Sequence, residues 1–156
     1  MAPSIQLDNI TPNNKKLLQL INEVTLPVKF SDDYYKESSL NGFSKLSYYG
    51  ETPVGVVKAK LQVPQGSSTP NIVYIESLAV LEPYRGLGIG KQFIDFIKQQ
   101  AHISYIHEVT LHVWAKDEKV VQWYQKQGFV VKEKVPDYYK AHGLESPDAL
   151  LLSLQV

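Results

Sequence analysis

Cysteine is absent from all 156 residues. Its absence excludes a disulfide framework, thiolate–zinc sites and a cysteine acyl-enzyme. An excess of one charge is equally lacking, since 16 Lys and Arg stand against 16 Asp and Glu. With no basic run either, nucleic acid and anionic membrane are poor main partners. No apolar run approaches the ~20 residues that span a bilayer, and the opening Met1–Asn9 lacks the basic and apolar regions of a signal peptide. The expectation is a soluble intracellular protein, cytoplasmic with the nucleus left open. No internal repeat or low-complexity segment occurs, and the polar loop Gln65–Pro70 is too short to link domains. The length fits one domain, residues 1–156, with a sizeable core.

What is present centres on Ile72–Lys91. Ile72 to Leu81 is apolar with few breaks and carries Val73, Ile75 and Val80, so it reads as a buried strand. Glu82-Pro83 ends it, because proline supplies no ladder donor. Tyr84-Arg85-Gly86-Leu87-Gly88-Ile89-Gly90-Lys91 follows. An apolar face at Ile89, Phe93, Phe96, Ile97 and Ala101 then repeats at helical spacing. A strand therefore feeds a glycine-rich turn that opens a helix. Successive backbone N–H groups and the helix dipole make such a turn a cradle for an anion such as a pyrophosphate.

The flanks supply the remaining elements. Ser4–Asp8 alternates as a short strand, and Thr11-Pro12 offers an N-cap and an N1 proline to a helix with Leu17, Leu20, Ile21 and Val24 on one face. Leu26-Pro27-Val28-Lys29-Phe30 is apolar and extended, and Ser31-Asp32-Asp33 caps a second short helix to about Leu40. Phe43–Tyr49 and Val54–Val63 read as strands around the hairpin turn Gly50–Pro53. Beyond the central helix, His107–Ala115 is a strand with Val109, Leu111 and Val113 on one face and Thr110, His112 and Trp114 on the other. Asp117 caps a helix through Val120, Val121 and Tyr124 that Gly128 ends. Phe129–Val135 and Ala149–Leu154 are the last strands. Between them Pro136–Pro147 carries Tyr138 and Tyr139, an aromatic loop. The order β-α-α-β-β-β-α-β-α-β-β predicts an α/β protein, a mixed sheet covered by helices.

Spacing decides what the glycine turn is not. A P-loop needs glycine five residues before Gly90, where Arg85 stands, and Lys91 is followed by Gln92 rather than Ser or Thr. The dinucleotide fingerprint needs glycine three after Gly88, where Lys91 stands. What remains, Arg85-x-x-Gly88-x-Gly90 after a long apolar strand, resembles the acetyl-CoA motif of the GNAT N-acetyltransferases; a turn that merely joins strand to helix is the plain alternative. Trp123-Tyr124-x-x-x-Gly128-Phe129 resembles a second signature of that superfamily. Leu26-Pro27-Val28, Tyr74-Ile75, Pro83-Tyr84-Arg85, Leu87–Gly90, Leu111-His112-Val113 and Tyr138-Tyr139-Lys140 are similar to the NatE-type (San) N-terminal methionine acetyltransferases. Leu26, Phe30, Glu76, Trp114 and Asp117 depart from that pattern.

The resemblance implies a seven-stranded, mostly antiparallel twisted sheet, four helices and a splay between the fourth and fifth strands. It implies acetyl-CoA as co-substrate, with no metal, held by Leu78, Ala79, Val80, Arg85, Gly86, Leu87, Gly88, Ile89, Gly90, Lys91, Asp117 and Tyr124. Backbone N–H groups about Leu78–Val80 suit the oxyanion, Tyr124 the departing thiolate, and Tyr74 with His112 the role of base through ordered water. Leu26, Pro27, Val28, Phe30, Tyr138 and Tyr139 are implied to line a peptide pocket, with ordinary core packing as the alternative. Glu76, two residues after Tyr74, shares its face of the strand. It suits an incoming ammonium, the base itself, or a surface ion pair. The expected reaction is acetyl transfer to the α-amine of N-termini, Met followed by an apolar residue. The NatA complex, with its large helical-repeat subunit, is the partner the resemblance implies. A lysine- or small-amine-directed transferase and a non-catalytic CoA-binding subunit are the rival functions.

Overall fold

In the computed structural model of the chain, residues 5–11, 14–26, 43–63, 66–67, 71–139 and 148–156 are described. The elements are β1 (Ile5–Asn9), α1 (Lys15–Thr25), β2 (Lys45–Tyr49), β3 (Thr52–Gln62), β4 (Ile72–Val80), a 3-10 turn (Glu82–Tyr84), α2 (Ile89–Ile103), β5 (Glu108–Trp114), α3 (Glu118–Lys126), β6 (Val130–Val135) and β7 (Ala149–Gln155). The strands form one seven-stranded sheet in the order β1-β2-β3-β4-β5-β7-β6. The pairs β1–β2, β2–β3, β5–β7 and β6–β7 are antiparallel, whereas β4–β5 is parallel. This is the mixed, mostly antiparallel sheet expected from the sequence. Three α-helices lie among the described residues. The expected helix after Ser31 falls outside them.

The parallel register runs only from Ile72↔Glu108 to Ile75↔Leu111, and β4 continues past it to Val80. That short ladder is what the expected splay of the fourth and fifth strands requires. Packing divides the chain into two compact units, Met1–Lys60 with Glu76–Phe96, and Leu61–Ile75 with Ile97–Val156.

In the first unit Ile10, Leu18, Ile21, Leu46, Val56 and Ala79 form a buried cluster, with Leu17, Leu26, Tyr48 and Leu81 packed against it. The inward face of α1 is thus Leu18, Ile21 and Asn22. Leu20 and Val24, expected on that face, are 55% and 76% exposed. The buried stripe is rotated toward Leu18 and Asn22, the side that meets the cluster of Leu46, Val56 and Ala79. Asn14, not Thr11, is the N-cap, and its side chain serves the preceding turn, accepting the Thr11 N–H at 2.7 Å and donating to the Asn9 carbonyl at 3.0 Å. Between β2 and β3 the Tyr49↔Thr52 pair leaves Gly50-Glu51 as the turn, and Gly50 adopts φ 63°. β3 is buried continuously from Val54 to Ala59, as a central strand covered on both faces must be.

In the second unit Val109, Leu111 and Val113 are buried along β5, with Phe129, Leu152 and Leu154 also buried. Glu108 on β5 accepts the Ser153 hydroxyl at 2.6 Å and pairs with Lys132 at 3.1 Å. The Ser153 bond, and then Lys132, hold its carboxyl below the usual range against partial burial. Asp117 caps α3 by accepting the Val120 N–H at 3.4 Å. Gly128, at φ 103°, ends the helical stretch, and Phe129 anchors the exit through its N–H to the Tyr124 carbonyl at 3.1 Å.

Gly55 shows how close the first unit's packing is. A Cβ there would lie 3.0 Å from Phe93 Cε2, 3.2 Å from the Ala79 carbonyl oxygen and 3.3 Å from Ile89 Cγ2. Gly55→Ala is expected to lower stability by about 1–3 kcal/mol. Urea unfolding monitored by circular dichroism measures it; an unchanged midpoint would show that the core yields more freely than this spacing allows.

Candidate active site

An aromatic cluster in the second unit is assembled by register. In the parallel ladder Tyr74 of β4 stands opposite Thr110 of β5. His112, two residues further on, projects from the same face as Thr110. The Tyr74 hydroxyl lies 2.6 Å from His112 Nδ1 and 3.1 Å from the Tyr138 hydroxyl. The Tyr138 ring stacks on His112 at 4.1 Å between centroids and 18° between planes, and Tyr139 packs edge-on to Tyr138 at 4.8 Å. Tyr138 is 41% exposed, whereas Tyr139 is buried. The structure therefore brings Tyr74, His112, Tyr138 and Tyr139 together from two strands and the turn after β6. Tyr124, from the buried face of α3, packs edge-on to Trp123 and Phe129.

Burial sets the protonation of this cluster. It lowers the pKa of His112, while the carboxylate of Glu133 acts in the opposite direction. In the tautomer with Nδ1 unprotonated, neutral His112 accepts the Tyr74 hydroxyl, and a Tyr74 lone pair is then left to accept from Tyr138. Burial likewise raises Tyr124 and Tyr139 well above the usual tyrosine range, with the neighbouring phenols Tyr139 and Tyr138 respectively adding to the rise. At neutral pH the group offers an unprotonated imidazole and firmly held phenolic protons. That is an acid and a base in one place.

The glycine turn belongs to the first unit. Gly86 and Gly88 adopt φ 80° and 86°, and a Cβ at either would meet nothing within 4 Å. The backbone is thus bare on the side a ligand would approach, directly before the first turn of α2, whose amides have no partner within the helix. Arg85 donates from Nε to the Val80 carbonyl at 3.0 Å and so ties the turn to the end of β4. Lys91 pairs with Asp95 at 3.0 Å. Leu87 is exposed, Gly90 half-buried and Ile89 buried beneath the turn. Leu78 is half-buried on β4, whereas Ala79 and Val80 are buried. The cradle fits a phosphate-bearing ligand through its backbone.

Several other expected site residues are engaged elsewhere. The Glu76 carboxylate pairs with Lys58 and, at 3.2 Å, with Lys60. Of the three readings open for Glu76, an ion pair is the one formed, but with Lys58 it is nearly buried rather than at the surface. The Asp117 side chain caps α3, and Leu26 packs on the first unit's core. Pro27, Val28 and Phe30 lie outside the described residues. Sequence reading missed Lys58 and Lys60, although two residues apart on a strand places them on one face. It also missed Glu133 and Asp148. Asp137, just before the tyrosine pair, takes φ 58°, a region that Asp tolerates better than most residues. Among the described residues no group of His, Cys, Asp and Glu has the makings of a metal site.

Comparison with known proteins places this geometry. Residues 14–129 match the model of the acetyltransferase (GNAT) family. N-alpha-acetyltransferase 50 of Danio rerio is 32% identical over 97% of this chain and 89% of its own length. The probable N-acetyltransferase san of Drosophila melanogaster is 32% identical over 96% and 79%. Among solved structures, Arabidopsis thaliana Naa50 in complex with the bisubstrate analogue CoA-Ac-MVNAL superposes with a TM-score of 0.86, at 31% identity over 96% of this chain and 97% of that one.

The lowered His112 pKa is directly measurable. By NMR, His112 is expected to titrate below the ordinary value of about 6.5, and Glu133→Gln to lower it further. Because the unfolded chain binds the proton more readily, stability from this group is present above about 6.5 and is lost as pH falls through the native value. A titration at or above the ordinary value would contradict the burial described here.

Proposed function

Because the chain belongs to the acetyltransferase (GNAT) family, we propose that it transfers the acetyl group of acetyl-CoA to the free α-amine of protein N-termini, those beginning with Met followed by an apolar residue. The observation that carries this reading is the Tyr74–His112 contact at 2.6 Å beneath the stacked Tyr138. It is an acid–base pair beside aromatic walls suited to an apolar N-terminus. The full-length similarity to N-alpha-acetyltransferase 50 and to a solved relative holding CoA joined to a Met-initiated peptide supports it.

The residues divide the reaction between them. Backbone amides from Gly86 to Lys91 hold the pyrophosphate of acetyl-CoA, and N–H groups of Leu78–Val80 receive charge that develops on the thioester oxygen. His112, with Tyr74, takes a proton from the α-ammonium through water. The freed nitrogen attacks the thioester carbonyl and gives up its second proton to water as the new C–N bond forms and the C–S bond breaks; Tyr124, firmly protonated at neutral pH, supplies the proton to sulfur and regains one from that water. Tyr138 and Tyr139 line the peptide pocket beside His112.

Amine chemistry favours the α-amine. At pH 7, deprotonating an α-amine of pKa ~8 costs about 1.4 kcal/mol, against about 4.6 kcal/mol for a lysine of pKa ~10.4. A mild base relayed by water meets the first demand far more easily. The NatA complex at the ribosome is the proposed assembly partner and the cytoplasm the proposed compartment, since nascent N-termini emerge there.

Three variants test the assignment. With a Met-Leu peptide, His112→Ala is expected to lower kcat by ~100-fold or more. Glu76→Gln is expected to lower the melting temperature, since it takes the carboxylate away from the buried Lys58 charge, yet to change kcat much less. A blocked lysine peptide scored in parallel decides between α- and ε-amine transfer. If Glu76→Gln abolishes turnover while His112→Ala retains it, the base is Glu76 and the lysine-directed reading replaces this one. Separately, Gly88→Val should weaken CoA binding by at least about tenfold, because a Cβ would enter the cradle and the positive φ is strained for valine. Unchanged affinity by calorimetry would remove the site from this turn.

A further inference from the structure

The turn that carries Tyr138 and Tyr139 is held from a distance in sequence. At Trp114, Ala149 and Val135 the ends of β5, β7 and β6 lie in register, and Asp148 immediately precedes that line. Its backbone carbonyl accepts the Ala115 N–H at 3.0 Å, extending the β5–β7 ladder by one bond. Its side chain does something different. Asp148 Oδ1 accepts the Asp137 N–H at 3.0 Å, while Oδ2 pairs with Lys134 at 3.4 Å. Asp137 is the residue in the left-handed region, φ 58°, and Tyr138 comes directly after it. Asp tolerates this region better than most residues, yet holds it as a single conformation most firmly where a partner fixes its backbone. Here the accepting carboxylate supplies the constraint. The next side chain along is the one that stacks on His112 and bonds the Tyr74 hydroxyl.

We propose that Asp148 is a positioning residue for the peptide subsite, its carboxylate fixing Asp137 in the left-handed conformation that lays Tyr138 over His112. The inference rests on the acetyl-transfer reading only where kinetics are used. The anchoring is a property of the unliganded chain. The hydrogen bond, not the charge, carries the effect. Lys134 touches the other carboxylate oxygen from an exposed position and contributes little on its own. Around His112 the groups that matter are Tyr74 on β4, Tyr138 on the turn and Glu133 on β6. Freeing the turn removes the second of these and opens the imidazole to water.

The test uses the full chain with Asp148→Ala, Asp148→Asn and Lys134→Met. NMR titration of His112 without substrate reads the stacking, calorimetry reads CoA binding, and steady-state kinetics read the Met-Leu peptide. Asp148→Ala is expected to move the His112 titration up toward about 6.5 and to raise KM for the peptide about tenfold, with CoA affinity unchanged. Asp148→Asn retains an oxygen acceptor and is expected to restore both readouts, and Lys134→Met to leave both near wild type. If Asp148→Ala proves unfolded, Asp148→Ser, too short to reach Asp137, takes its place. The proposal is overturned if the alanine or serine variant leaves the His112 titration unmoved, or if the asparagine variant is as impaired as alanine. A moved titration in a chain that acetylates no N-terminal peptide would keep the anchor and overturn the acetyl-transfer reading alone.

Discussion

A four-residue parallel ladder between β4 and β5 is the constraint on which the aromatic cluster depends. Parallel strands cannot be joined by a tight turn, so α2 makes the crossover. Tyr74 opposite Thr110 then fixes His112 on the same face of the sheet, close enough for a direct contact. A slip of one residue would turn His112 to the other face and abolish the pair. β7 guards against it from the far side of β5, with an unbroken register from Glu108↔Gln155 to Trp114↔Ala149. The Glu108–Ser153–Lys132 network adds side-chain bonds near one end of that ladder.

The two units treat charge in opposite ways. The aromatic cluster stays neutral, because burial disfavours imidazolium and phenolate alike. A neutral imidazole can take a proton, and a neutral phenol can give one, without a net charge being desolvated beforehand. In the first unit the Glu76 carboxylate sits at low exposure in company with Lys58 and Lys60. Such a pair is costly to break from one side and adds little to stability as a whole. β4 alternates buried and half-buried residues, and Glu76 lies with Tyr74 and Leu78 on its half-buried face.

Much of this was legible in the sequence, for identifiable reasons. The apolar run Ile72–Leu81, the glycine turn and the period of Ile89, Phe93, Ile97 and Ala101 are strong local signals, and each became the expected element. Tyr74, His112, Tyr138 and Tyr139 were singled out from motif resemblance, and the structure places them in mutual contact. The α1 face differs because Leu17, Leu18, Leu20, Ile21 and Val24 supply overlapping apolar stripes, and periodicity does not say which of them the sheet covers. The partners of Glu76 and the anchor of Asp137 were hidden for a different reason. Lys58 with Glu76, and Asp137 with Asp148, meet only after the sheet has formed, and spacing along the chain carries no trace of them.

The glycines of the cradle differ from Gly55 in a way that bears on how the chain is policed in a cell. At Gly86 and Gly88 no neighbouring atom resists a side chain, so replacing either costs only the backbone preference of about 1–2 kcal/mol. Chaperones and proteases sense unfolded population, not a blocked ligand site. A chain with a ruined cradle would accumulate to nearly normal levels, occupying peptides while contributing nothing. Damage at Gly55 would instead be cleared with the protein. Selection on the two kinds of glycine therefore acts through different quantities, activity per molecule in one case and abundance in the other.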